Sequence, residues 1–300
     1  MKETRVLRFA KGLLDLLATL PRGVNRKLAE VIGWIWFLVD TRHRRIALNN
    51  LELAWGDELD ESARKNIAQR NFIHLSRVML EVPYLRKLTP ENLDSYVNFR
   101  GLEHYNAALD KGKGLLVLAS HFGNWEMMAL AFSLRYHPAN LVVRPLDNPV
   151  LDTLINGIRT RGGNQLITKK GSVRSVLRLL ARGEVVVLLI DQNLAWYDGV
   201  FVPFFKEIAC TNKALAVLAL RTGAPVIPVY NVRQPDGSYQ VVFEPEVALV
   251  RSGDTTRDIE DNTANFNRVI ESYVRRYPEQ WFWVHQRWKT RPYQPWPREK

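Results

Sequence analysis

Polar and apolar positions recur with a helical period over the first ninety residues, and short apolar runs begin to alternate with helical stretches from Ser95 onward. On a helix over residues 4–20, Val6, Ala10, Leu13, Leu17 and Leu20 share one face, with Phe9, Leu14 and Leu16 on its flanks. Arg5, Arg8, Lys11, Asp15 and Thr19 lie opposite. A leucine-rich face beside a basic one suits a helix lying in a membrane interface, and equally a helix packed on the domain behind it. Pro21-Arg22-Gly23 ends this pattern. Helical spacing resumes over 26–40, which carries Trp34, Trp36 and Phe37, then over 41–55, and from Asp60 to about Leu88. His74 falls inside the last of these and reads as a packed histidine.

Beyond Ser95, Tyr96–Arg100 alternates like a strand, and 101–110 is helical. Apolar runs at Leu115–Ala119, Leu141–Arg144 and Val185–Ile190 predict buried strands, with a shorter one at Gln165–Thr168. Helices are predicted over 148–161, 173–181, 211–221 and 258–277, with a turn at Lys169–Gly171. Val226–Val232 and Tyr239–Phe243 flank Pro235-Asp236-Gly237, a hairpin signal. Strands alternating with helices predict an α/β domain, a mixed and mostly parallel sheet flanked by helices with some antiparallel edge. The expected division is a helical extension over 1–92 and an α/β domain over 93–300.

The stretch Gly114–Glu126 concentrates the chemistry. Its apolar run stops at Ser120-His121, and from Asn124 the pattern turns helical through Trp125, Met128, Ala131 and Phe132. Asn124 is placed to cap that helix. His121 therefore sits outside the carboxyl end of a strand, where open α/β sheets bind ligands. Glu126 follows five positions later, about 140° away on a regular helix. With His121 in the turn and Glu126 in the first helical turn, the carboxylate can reach back to the ring. It would fix the tautomer and leave the other nitrogen free to accept a proton. The alternative is a capping histidine and an acid favoured by the helix dipole.

Composition narrows the surroundings. A net charge of +11 over 300 residues implies anionic company: nucleic acid, an anionic lipid surface, phosphorylated substrates or an acidic carrier protein. The one cysteine, Cys210, excludes an intramolecular disulfide and reads as a small buried hydrophobe. No stretch holds the ~20 uninterrupted apolar residues of a spanning helix, and the start lacks the pattern of a removable signal peptide. A soluble or peripheral protein that is not exported is expected. Basic residues alternate with Trp281, Trp283 and Trp288 in the tail (His285, Arg287, Lys289, Arg291), an arrangement that can meet phosphate headgroups. No zinc spacing or recognition motif points to nucleic acid.

Seven blocks in order resemble the lipid A biosynthesis acyltransferases, the lauroyl and myristoyl transferases that add late acyl chains to the lipopolysaccharide precursor. They are Ser120–Glu126, Val143-Arg144-Pro145 with Asn148, Arg159–Gly162, Asp191-Gln192, Gly199–Phe205, Thr211-Asn212 and Trp283–Pro292. A longer apolar anchor, with which that family often begins, has no counterpart here. Nor does the Pro-Glu-Gly-Thr-Arg block of the glycerol-phosphate branch. The resemblance implies direct acyl transfer: His121 takes a proton from a lipid hydroxyl as it attacks an acyl thioester, and Glu126 orients the ring. Arg144 and Arg161 are the candidates for stabilising the oxyanion. Asn124, Asp191 and Gln192 would line the substrate site, with Asp191 holding an arginine or shaping the pocket, and Phe204 and Phe205 would wall the acyl chain or equally belong to the ordinary core. No cofactor and no metal are implied. The implied partners are an acyl carrier protein (or acyl-CoA) donor, a phosphorylated glycolipid acceptor and an anionic membrane surface, with no nucleic acid. The implied setting is a monomer at the cytoplasmic face of a bacterial inner membrane, peripheral or monotopic.

Overall fold

The computed structural model describes residues 5–168 and 172–292, so the turn expected at 169–171 and both termini lie outside the described residues. The chain opens with four helices: α1 (Arg5–Leu17), α2 (Arg22–Val39), α3 (Thr41–Trp55) and α4 (Glu61–Leu85). Asp40 and Asp60 accept from the backbone amides of His43 and Ala63, which fixes the starts of α3 and α4. The α/β order follows: β1 (Val97–Arg100), α5 (Leu102–Leu109), β2 (Leu115–Ala119), α6 (Trp125–Arg135), β3 (Asn140–Val143), α7 (Pro149–Arg159), β4 (Gln165–Thr168) and α8 (Ser172–Ala181). Then come β5 (Val185–Leu189), β6 (Gly199–Phe204), β7 (Glu207–Asn212), α9 (Ala214–Thr222), β8 (Val226–Arg233), β9 (Tyr239–Phe243) and α10 (Thr255–Arg276).

Among the described residues, seven strands form one sheet in the order β1-β9-β8-β2-β5-β3-β4. Every neighbouring pair is parallel except the β8–β9 hairpin. Successive side chains of β2 and β5 feed different cores. Leu116, Leu118, Val186 and Leu188 pack with α8, α9 and α10, whereas Leu115, Val117, Val185 and Val187 pack with α5 and α6. A strand buried on both faces has no polar side to show, which is why both runs are continuously apolar.

β6 and β7 form a separate antiparallel ribbon. The helix expected from Thr211 instead begins at Ala214, because Thr211 and Asn212 pair with Val200 and Gly199, and Asn212 then accepts from the Ala214 amide. The ribbon turns at Phe205-Lys206, not at a glycine or asparagine pair. Phe205 holds a left-handed φ of 56°. Its ring is packed against Trp55 and Trp283, and its amide donates to Glu271.

Two helices brace the C-terminal segment. Asn50 of α3 donates to the carbonyls of Trp283 and His285, and Asn71 of α4 to those of Glu279 and Trp281. That segment consequently lies inside the fold. Trp281, Trp283, Arg287 and Trp288 are buried, and only Lys289 and Arg291 of the basic tail residues are exposed. Arg287 is withdrawn from the basic face expected there, because its guanidinium turns inward to Thr211 Oγ1 (2.5 Å) and the Cys210 carbonyl (2.7 Å).

Candidate active site

β2 and β5 pair in parallel with Ala119 opposite Leu189. Two residues further on, the same register brings His121 opposite Asp191. Asp191 Oδ1 lies 2.9 Å from His121 Nδ1, and Oδ2 accepts from the His121 backbone amide at 2.9 Å and from Trp281 Nε1 at 2.8 Å. Burial by itself would raise the Asp191 carboxyl, but the imidazole beside it and these donated bonds hold it below the ordinary carboxylate range. An ionised Asp191 fixes the Nδ1–H tautomer, and Nε2 is then the acceptor. Nε2 faces the Gln192 side-chain amide at 3.2 Å. Trp125 meets the imidazole edge-on at 5.2 Å, and Phe282 lies against it at 5.9 Å.

The expected partnership of His121 with Glu126 is replaced. Asn124 caps α6 through the Met127 amide, and Glu126 in the first turn faces α7. There Arg159 binds both its oxygens, Nη2 to Oε1 at 2.5 Å and Nε to Oε2 at 2.8 Å. Glu126 is 9% exposed, and a carboxylate buried that far needs a countercharge that neutral imidazole does not supply. Asp191, expected to hold an arginine or shape the pocket, holds the histidine, and Glu126 holds the arginine.

A cleft of about 400 Å³ opens at His121, Gln192 and Asn212 and runs between α6 and the ends of β3 and β5. Its wall carries Met128, Leu141, Val187 and Leu189, and Arg159 with Glu126 lines one side. Arg144 also lines it, exposed and paired with Asp147 at 2.7 Å. Arg161 does not. Its guanidinium donates to the carbonyls of Leu85 and Leu88, closing the end of α4. Arg159 is the last residue of α7, whereas Arg161 lies in the turn beyond the Thr160 cap, so one faces the cleft and the other reaches back to the end of α4. Asn124 is fully buried as a cap, bound also to Glu81 and Asn231. Phe204 and Phe205 are not on the cleft wall. They pack on Trp281 and Trp288, and on Trp55 and Trp283.

A network behind the site holds the turn after His121. His74 Nε2 donates to the Gly123 carbonyl at 3.2 Å, so its Nδ1 is the acceptor that faces Arg233 at 3.4 Å. Arg233 in turn pairs with Glu81. Burial first, and the Arg233 charge second, push the His74 imidazole well below its ordinary value and keep it neutral. Gly123 has φ +60°, and a Cβ there would lie 1.6 Å from the Asn231 carbonyl oxygen.

Two further titratable groups stand near the site. Burial pushes His285 down to about 4, so it is neutral, and its Nε2 accepts from the Asn193 amide at 2.8 Å. Burial raises the Cys210 thiol, which disfavours the thiolate needed for nucleophilic attack. Among the described residues, no group of three or more His, Cys, Asp or Glu side chains is placed to hold a metal ion.

Residues 3–290 match the sequence model of a family described as bacterial lipid A biosynthesis acyltransferase. The chain is 30% identical over 283 residues to a lipid A biosynthesis lauroyltransferase of Escherichia coli (strain K12), covering 94% of this chain and 90% of that one. It is 29% identical over 289 residues to a lipid A biosynthesis palmitoleoyltransferase of the same organism, covering 95% and 91%. A lipid A biosynthesis myristoyltransferase, also from E. coli, is 24% identical over 251 residues, with 83% and 76% covered.

Proposed function

Because this chain belongs to the bacterial lipid A biosynthesis acyltransferases and is thus an O-acyltransferase, we propose that it moves a fatty acyl chain from an acyl carrier protein thioester to a hydroxyl of a lipid A precursor, with His121 as general base. The observation that carries this reading is the imidazole itself. Asp191 holds Nδ1, and Nε2 stands at the mouth of a cleft whose interior is aliphatic. As the acceptor oxygen attacks the thioester carbonyl, its proton passes to Nε2, where it displaces the Gln192 amide. The tetrahedral intermediate collapses, the carbon–sulfur bond breaks, and the imidazolium returns the proton to the leaving thiolate. A positioned base of this kind contributes about 10²–10⁴-fold.

Arg159, fixed in the cleft wall by Glu126, is the donor best supported for the developing oxyanion. Arg144 at the exposed rim suits an anionic headgroup or the acidic carrier. Residues 1–92 form a membrane-associating extension in this reading. Its support is the outward apolar surface of α1 and α2, with Phe9 75%, Leu16 66%, Val31 56% and Trp34 49% exposed, beside the basic side chains Arg5, Arg8, Arg26 and Lys27. Among the described residues no helix is long and apolar enough to cross a membrane. Purified protein given acyl carrier protein thioester and a lipid A precursor should yield a product one acyl chain heavier by mass spectrometry. Coenzyme A thioester should be the poorer donor. Unchanged turnover by a folded His121→Ala variant would overturn the mechanism.

A further inference from the structure

Beside the cleft lies a second, smaller apolar void of about 30 Å³ between α5, α6 and the sheet. Met128, Ala129, Leu141 and Val187 line both spaces, so one set of side chains forms the partition between them. The polar groups near the void are satisfied: the Tyr105 hydroxyl bonds His137 Nε2 at 2.7 Å. The void's lining is otherwise apolar, offering a water few hydrogen-bond partners and a hydrocarbon chain a matching surface. α6 runs along the whole path. Trp125 packs on His121 at its start, Met128 and Ala129 stand about one turn on at the partition, and Phe132 stands one further turn on, about 5.4 Å per turn. The Phe132 ring is set against Tyr105 at 5.0 Å and Phe243 at 5.6 Å, an aromatic floor with little freedom to move. Met128 is different in kind, an unbranched thioether that repacks readily.

We propose that Met128, Ala129 and Phe132 set the length of the acyl chain that this enzyme accepts: the donor's hydrocarbon tail passes Met128 from the cleft into the void and ends on Phe132. The occupant follows from continuity with the His121 cleft, and the inference rests on the acyl transfer proposed above. A tail that stops short leaves the void empty, and one too long meets the aromatic floor. One methylene in an apolar pocket changes kcat/KM by about tenfold or more.

The test uses the full chain, with a graded series of saturated acyl carrier protein thioesters competing for one lipid A precursor. Met128→Ala and Phe132→Leu should move the preferred length upward, and Ala129→Leu downward, each by about tenfold in the ratio of neighbouring lengths. Thermal melting establishes that each variant folds, and failure of one substitution leaves the other two. An unaltered length profile in folded, active variants overturns the inference. A second readout needs no turnover: stabilisation of the wild type by free saturated fatty acids should peak at one chain length, and Met128→Ala should move that peak. Without transfer by the wild type, a peak that moves would overturn the acyl-transfer reading alone, and a peak that stays would overturn both.

Discussion

Asp191 carries two bonds to one residue, and removing its charge without changing its shape isolates what they do. In Asp191→Asn the amide can no longer hold a positive Nδ1–H, so the imidazolium formed in transfer loses its counterion. The expected result is a fall in kcat of about 10²–10⁴-fold with KM little altered, read from steady-state kinetics. Glu126→Gln should fail differently. It leaves Arg159 charged and without its counterion where the two side chains are only 13% and 12% exposed, at a cost of roughly 3 kcal/mol. Thermal melting should show that loss beside the loss of rate. Arg161→Ala gives up two hydrogen bonds to backbone carbonyls, about 1–3 kcal/mol of stability, and should leave transfer per folded molecule unchanged. His121 itself was legible in the sequence, because an apolar run that stops at a histidine and restarts with helical period can only place it at a strand's end. Its partner was not legible. Asp191 is 70 residues away, and only the register of β2 on β5 brings it into contact.

At the level of elements, most helices and strands followed from period alone, since a helical face or a buried run is a local property. The β6–β7 ribbon did not, because its turn uses Phe205 at a positive φ that local sequence disfavours and only the packing of Trp55 and Trp283 makes tolerable. Phe204 and Phe205 carry a related ambiguity, since aromatics in a core and aromatics in a pocket look alike until their neighbours are known. The turn between β2 and α6 is as demanding. Gly123→Ala should misplace His121 and destabilise the chain by several kcal/mol, since the clash is with backbone that cannot step aside. The outward face of α1 invites the opposite kind of change. Phe9→Glu with Leu13→Glu should leave melting unchanged and weaken binding to anionic vesicles about tenfold or more, as measured by co-sedimentation.

For the molecule as a whole, buried neutral imidazoles make stability depend on pH. His285 lies at about 4 in the folded chain against an ordinary 6.5, and His74 is also depressed. Below 6.5 the unfolded chain therefore binds protons that the folded chain refuses. Their contribution is whole above that pH and shrinks as pH falls, and for His285 the loss levels off near 4, at about 3 kcal/mol from that residue. Urea midpoints should fall between about pH 7.5 and about pH 5, and the fall should be shallower in His285→Gln.

By itself the sequence determined the alternation of strands and helices, the place of His121 at a strand's end and the membership of its family. These rest on periodicity and on ordered blocks, both carried by neighbours in the chain. Only the tertiary structure decided that Asp191 and not Glu126 holds the imidazole, that Arg159 faces the cleft while Arg161 closes α4, and that Arg287 of the basic tail turns inward. Each of those is a choice among partners far apart in the chain. Strand register, the course of the chain beyond a helix end and the need of a buried charge for a countercharge make that choice together, and none of the three is written in any short run of residues.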